Sequence, residues 1–135
     1  MSVILSNSVA QTLDPGQSAT FDTIVLKTGN AECFRPNTGA VRLRFKSAMY
    51  EIKFGGNIGA TAEGAAQIAI GFEGSPMLET TMISQTAAAG DLNSVSRETA
   101  VQTCCCDGGA VTIINTGTTS INLGAHPLLY IRRVA

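Results

Sequence analysis

Residues 110–135 read AVTIINTGTTSINLGAHPLLYIRRVA, and they carry the clearest period of two in the chain. Val111 and Ile113 fall on one face of a strand, Thr112 and Ile114 on the other. Asn115-Thr116-Gly117-Thr118-Thr119 breaks the run. Gly124 to Pro127 breaks it again after the short stretch Ile121-Asn122-Leu123. Turn residues at that spacing between β-branched runs specify strands rather than helices. The closing run, Leu128 to Val134, is rich enough in Leu, Ile, Tyr and Val to lie inside a sheet. It reads as apolar on both faces, so it is expected to be covered once by its own core and once by something else.

The composition points the same way. A chain of 135 residues is one domain, able to bury roughly two thirds of its unfolded surface without a staple. Its 9 basic and 10 acidic residues nearly balance, so neither nucleic acid nor an anionic membrane is an expected partner. Only 14% of residues are charged while 44% are hydrophobic, against about 25% charged in ordinary soluble domains. With no Trp and seven Phe and Tyr together, the apolar excess is small and flat, which suggests surface buried between subunits. The opening MSVILSNSVA lacks the basic start of a secretory signal, and no stretch reaches the roughly 20 apolar residues of a membrane span. Synthesis in the cytoplasm is expected.

Outward from the C-terminal run, the rest of the chain also reads as strands. Asp14-Pro15-Gly16 closes a first short strand around Val9 to Leu13. Ala19 to Lys27 follows, and then a short strand at Cys33 and Phe34. Ala40 to Phe45 alternates, with Val41, Leu43 and Phe45 inward and Arg42 and Arg44 outward. Met49 to Ile58 repeats the pattern, placing Tyr50, Ile52 and Phe54 against Glu51 and Lys53. Gly55-Gly56 marks a bulge or a close backbone approach, and Gly59 to Ala66 reads as a loop. Gln67 to Glu73, Met77 to Ser84 and Asn93 to Cys106 complete about ten antiparallel strands. Residues 1–9, with Val3, Ile4 and Leu5 unmatched by any partner pattern, are expected to form an arm. Residues 10–135 form the single domain.

Four passages, LDPGQSATFDTIVLKTGN, RPNTGAVRLRFKSAMYEIKFGG, TAVQTCCCDGGAVTIINTGTTSINL and LLYIRRVA, together resemble the jelly roll of the tumour necrosis factor and complement globular-head family, in its bacterial and bacteriophage form. The resemblance implies an all-β sandwich of ten strands that assembles as a homotrimer, one sheet of each subunit facing the three-fold axis. On that basis Leu128, Tyr130, Arg132 and Val134, with Cys104 and Cys106, are the expected trimer contacts. Family members commonly stand behind a collagen-like stalk or a membrane or signal segment, and the sequence shows neither.

Catalytic and metal chemistry find little footing. On a strand, Cys104 and Cys106 face one side and Cys105 the other, so the triplet cannot converge on one ion. The thiols are expected to pack as small apolar groups. His126 is the only histidine, whereas jelly-roll metalloenzymes need a His cluster with a carboxylate. It reads as a turn residue before Pro127. No nucleophile elbow, phosphate loop or calcium loop occurs, so no cofactor, metal or enzymatic activity is expected. Glu51, Glu73 and Glu79 read as solvated strand positions, and Arg132-Arg133 as charges meeting water or a neighbouring subunit. The functional expectation is a trimeric capsid decoration protein on the surface of a bacteriophage virion, bound to the major capsid protein or another virion protein, with Val3, Ile4 and Leu5 as the arm onto the shell. The competing reading is a receptor- or glycan-binding head of a virion fibre or spore filament.

Overall fold

The computed structural model describes residues 2–29, 32–33, 40–43, 48–103 and 109–134. In chain order these form β1 (Ser2–Ser6), β2 (Gln11–Leu13), β3 (Thr23–Thr28), β4 (Glu32–Cys33), β5 (Val41–Leu43), β6 (Met49–Ala60), β7 (Gly64–Phe72) and β8 (Ser75–Pro76). A 3-10 turn at Leu78–Thr80 precedes β9 (Met82–Thr86), β10 (Asn93–Gln102), β11 (Gly109–Asn115), β12 (Ile121–Leu123) and β13 (Leu128–Arg133). All pairings are antiparallel. The first sheet runs β2-β12-β6-β13-β1-β3, with β10 on the free side of β6; the second runs β4-β5-β11-β7-β8, with β9 also on β7.

The two sheets close face to face over one core because their inward rows are apolar at every second residue. From the first sheet come Val3, Leu5, Tyr50, Ile52, Phe54, Ile58, Leu129 and Ile131; from the second come Val41, Leu43, Ile68, Ile70, Val111 and Ile113, all buried. The alternation read at Met49 to Ile58 and at Val111 and Ile113 is therefore the core pattern itself. At the Asp14-Pro15-Gly16 turn the Gln17 amide donates to the Asp14 carbonyl at 2.9 Å, and Gly16 takes φ +83°, a conformation that excludes most side chains.

Several expectations need correction. Residues 2–9 of the expected arm, 1–9, are not an arm. Ser2–Ser6 is an interior strand, paired on one side with β13 and on the other with β3. Val3 and Leu5 are 0% exposed, so they cannot reach another particle; Ile4 alone of the three points outward. The segment after β1 is tied down as well: the Asn7 carbonyl accepts the His126 amide at 2.8 Å, and Asp22 accepts the Ser8 amide at 2.9 Å. β13 is also less symmetric than it reads, since Leu129 and Ile131 are buried but the opposite face mixes Leu128 and Tyr130 with Arg132. Gly59 to Ala66 is mostly strand, leaving residues 61–63 as the turn. Between β6 and β10 the register is continuous through Gly55-Gly56, so the pair marks a close approach rather than a bulge there. A side chain on Gly56 would press on Leu123, Phe54 and Pro127.

Gly59 is tighter still. A Cβ built there would sit 1.9 Å from the Asp91 carbonyl oxygen, where the loop before β10 crosses β6. Gly59→Ala is therefore expected to push that loop off the sheet and cost about 1–3 kcal/mol, read as a lower urea midpoint at unchanged slope.

Two long edges of the first sheet are guarded. β3, an edge strand with all six residues exposed, slips register against β1 between Ile4 and Leu5, leaving Val25 unmatched as a bulge. β10, the other long edge, pairs Arg97 opposite Phe54 on the core-facing side, yet Arg97 is exposed beyond the sheet margin. Bulges and inward-facing charges both discourage a foreign strand from adding to an edge.

Candidate functional site: the outer face of the first sheet

The register fixes which side chains stand together on the solvent side of the first sheet. Leu26, Ile4, Tyr130, Lys53 and Glu98, from β3, β1, β13, β6 and β10, form one row. Thr28, Ser2, Arg132, Glu51 and Ala100 form the next. On the far side of Tyr130, Leu128 lies opposite Gly55 and Gly55 opposite Ser96, a stretch with almost no relief. The face is thus apolar toward β3, β1 and β13, where Leu26 and Leu128 are 46% and 44% exposed, and ionic toward β6 and β10.

The ionic half is organised around Glu51. Its carboxylate accepts from the Arg132 guanidinium at 2.9 Å and lies 3.2 Å from the Lys53 ammonium, which reaches Glu98 at 3.5 Å. Lys53 also sits 5.9 Å from the centre of the Tyr130 ring, joining the two halves through a cation–π contact. Arg132, then Lys53, hold the Glu51 carboxyl below the usual glutamate range. Glu51 in turn holds Lys53 and Arg132 above theirs. The four formal charges cancel within one chain. Exposed pairs of this kind add little to the stability of a lone subunit, so their importance lies in what they let the face do.

Of the residues expected at a trimer contact, the structure brings Leu128, Tyr130 and Arg132 onto this face. Val134, 43% exposed, continues the strand with its amide on the Met49 carbonyl at 2.9 Å. Cys104 and Cys106 lie outside the described residues. Sequence reasoning missed the contributions of Ile4, Leu26 and Glu51. Ile4 was read as arm and Glu51 as a solvated carboxylate, although the alternation of Met49 to Ile58 already set Glu51 and Lys53 on one face.

Other candidates do not converge. Among the described residues no group of three His, Cys, Asp or Glu could hold a metal ion. His126 is an exposed turn residue with φ +62°. Glu73, also left-handed at φ +57°, sits in the tight turn before β8, where its carboxylate accepts the Ala110 amide at 3.1 Å. Glu79 belongs to the 3-10 turn. Open depressions border β10, one of about 380 Å³ lined by Lys53, Phe54, Ser96, Arg97 and Glu98. No helix among the described residues is long and apolar enough to cross a membrane.

No protein-family model matches the sequence, and no curated protein does. Solved structures do match the fold. Eiger, a tumour necrosis factor from S. frugiperda, aligns over 100% of this chain and 92% of its own, with a TM-score of 0.79 at 10% identity. Murine APRIL aligns over 98% and 99%, with a TM-score of 0.62 at 12% identity. The globular domain of zebrafish complement 1qA aligns over 96% and 93%, with a TM-score of 0.60 at 11% identity. The chain therefore has a tumour necrosis factor-like jelly-roll fold, and identities this low carry the likeness no further than the fold.

Proposed function

We propose that this protein is a structural component that assembles as a homotrimer through the outer face of its first sheet, and that the trimer decorates a bacteriophage head. The observation that carries this reading is the face itself. It offers Leu26, Ile4, Tyr130 and Leu128 to a neighbour, while every charge beside them is already answered in its own chain. A surface that is apolar and internally neutral can be buried against copies of itself without stranding a charge. The scarcity of ionic residues across the chain fits a molecule that spends much of its surface on other proteins.

As a decoration protein the trimer would bridge adjacent capsid subunits on the outside of the shell and resist internal pressure by adding buried contact. The partner is the major capsid protein or another virion protein. With Val3 and Leu5 committed to the core, the attachment surface belongs to the folded domain rather than to an N-terminal tail. The test is to strip the protein from particles and heat them. Stripped particles are expected to rupture at a lower temperature, and re-addition should restore the original value. An unchanged rupture temperature would remove the cement role. Failed adsorption of stripped particles to host cells would favour a receptor-binding head instead.

A further inference from the structure

We infer that the cluster of Glu51, Arg132, Lys53 and Glu98 makes association between copies acid-labile while leaving the fold of each copy intact. The inference rests on the trimer reading above, and concerns how that assembly is released.

Among the described residues Glu51 is the only acid in contact with both cations: Arg132 donates to it from β13, and Lys53 approaches it from two residues along β6. From β10, Glu98 answers Lys53 alone at 3.5 Å, and the residue directly opposite Glu51 is the uncharged Ala100. Tyr130, the remaining titratable group on this face, lies beside Lys53. Arg133 follows on the core-facing side, opposite Tyr50, and has an interaction of its own. Protonating Glu51 therefore leaves two cations with one carboxylate. On a free subunit water screens the imbalance, and the cost is small. Within a subunit contact the same imbalance is desolvated and repeated in every copy, which is where an unpaired charge is expensive.

The direction follows from the shift. The Glu51 carboxyl is held below its ordinary value, by Arg132 first and Lys53 second. The stabilisation it provides is present above the ordinary glutamate pKa of about 4.3 and is lost as pH falls through the lowered value. Assembly is thus indifferent to pH from neutrality down to the ordinary glutamate value and fails only as pH falls through the lowered one.

Sedimentation velocity of the full chain over a descending pH series from 7, with far-UV circular dichroism alongside, tests this. The wild type is expected to be trimeric at pH 7 and to dissociate in acid while its β-sheet spectrum is retained. Glu51→Gln should weaken assembly tenfold or more already at pH 7. The double variant Glu51→Gln with Arg132→Gln, which leaves Lys53 with Glu98 and so restores the balance of charge, should be trimeric at pH 7. A wild type that stays trimeric at every pH where its spectrum is native overturns the acid release and leaves the trimer standing. Monomers at pH 7 overturn both. Dissociation of the wild type only where its β-sheet spectrum is lost also overturns the inference, because acid then acts on the fold.

Discussion

Asn115→Leu is expected to destabilise the chain by about 3 kcal/mol or more, the largest single-residue effect on the fold. Asn115 is 1% exposed, and both of its side-chain donors and its side-chain oxygen are bonded. Its Nδ2 donates to the Leu13 and Thr119 carbonyls, both at 2.9 Å, while Oδ1 accepts the Gly117 amide at 2.9 Å. Its own backbone accepts the Gly16 amide at 2.8 Å and donates to the Gln17 carbonyl at 3.0 Å. One residue thereby fastens the end of β2, the Pro-Gly turn and the loop between β11 and β12. Leucine fills similar space but removes the partner of two carbonyls and one amide, the Leu13 carbonyl in a buried place and the other two in partly buried ones, and that penalty exceeds the small net gain each bond gives when made. Asn115→Asp should be worse than leucine at neutral pH, because a carboxylate oxygen would then face two carbonyl oxygens, and less harmful at acid pH where it is protonated. Urea titrations at pH 7 and pH 4 measure both. Equal stability of Asn115→Leu and wild type would refute the account.

The largest effect on assembly is expected from Tyr130→Asp. Tyr130 stands mid-row between Ile4 and Lys53, half-buried even in the isolated chain, and the substitution sets an unmatched anion at the centre of the proposed contact. Loss of association by at least about a hundredfold is expected from a desolvated unpaired charge at a hot-spot position. The monomer should keep its melting temperature within a few degrees, because Tyr130 points away from the core. Equilibrium sedimentation across a concentration series gives the first quantity and thermal denaturation the second. A variant that stays trimeric would move the contact to another surface.

What was legible in the sequence follows burial. Where one face of a strand meets the core and the other meets water, as in Val41–Leu43 and Met49–Phe54, the alternation is explicit and the inward residues come out correctly. Where burial departs from that pattern, reading fails. β3 is exposed on both sides, so Thr23–Thr28 shows no period, and Ala19 to Lys27 was read as strand from too early a residue. β1 is only five residues long, and Val3-Ile4-Leu5 reads as an undivided apolar run until its neighbours reveal that the middle residue faces out. The ionic cluster was half legible. Glu51 and Lys53 share a face by parity alone, but Arg132 lies 81 residues away in the chain, and only the pairing of β13 with β6 brings it within 2.9 Å.

The guarded rims bear on what kind of object many copies can make. A first sheet whose long edges β3 and β10 both discourage an added strand resists side-by-side growth along that sheet. In the proposed trimer association uses the broad surface instead, where a rotation that closes on itself gives a finite particle and then stops. Removing the guard, by replacing outlying Arg97 with valine, would be the shortest way to turn a bounded assembly into an unbounded one.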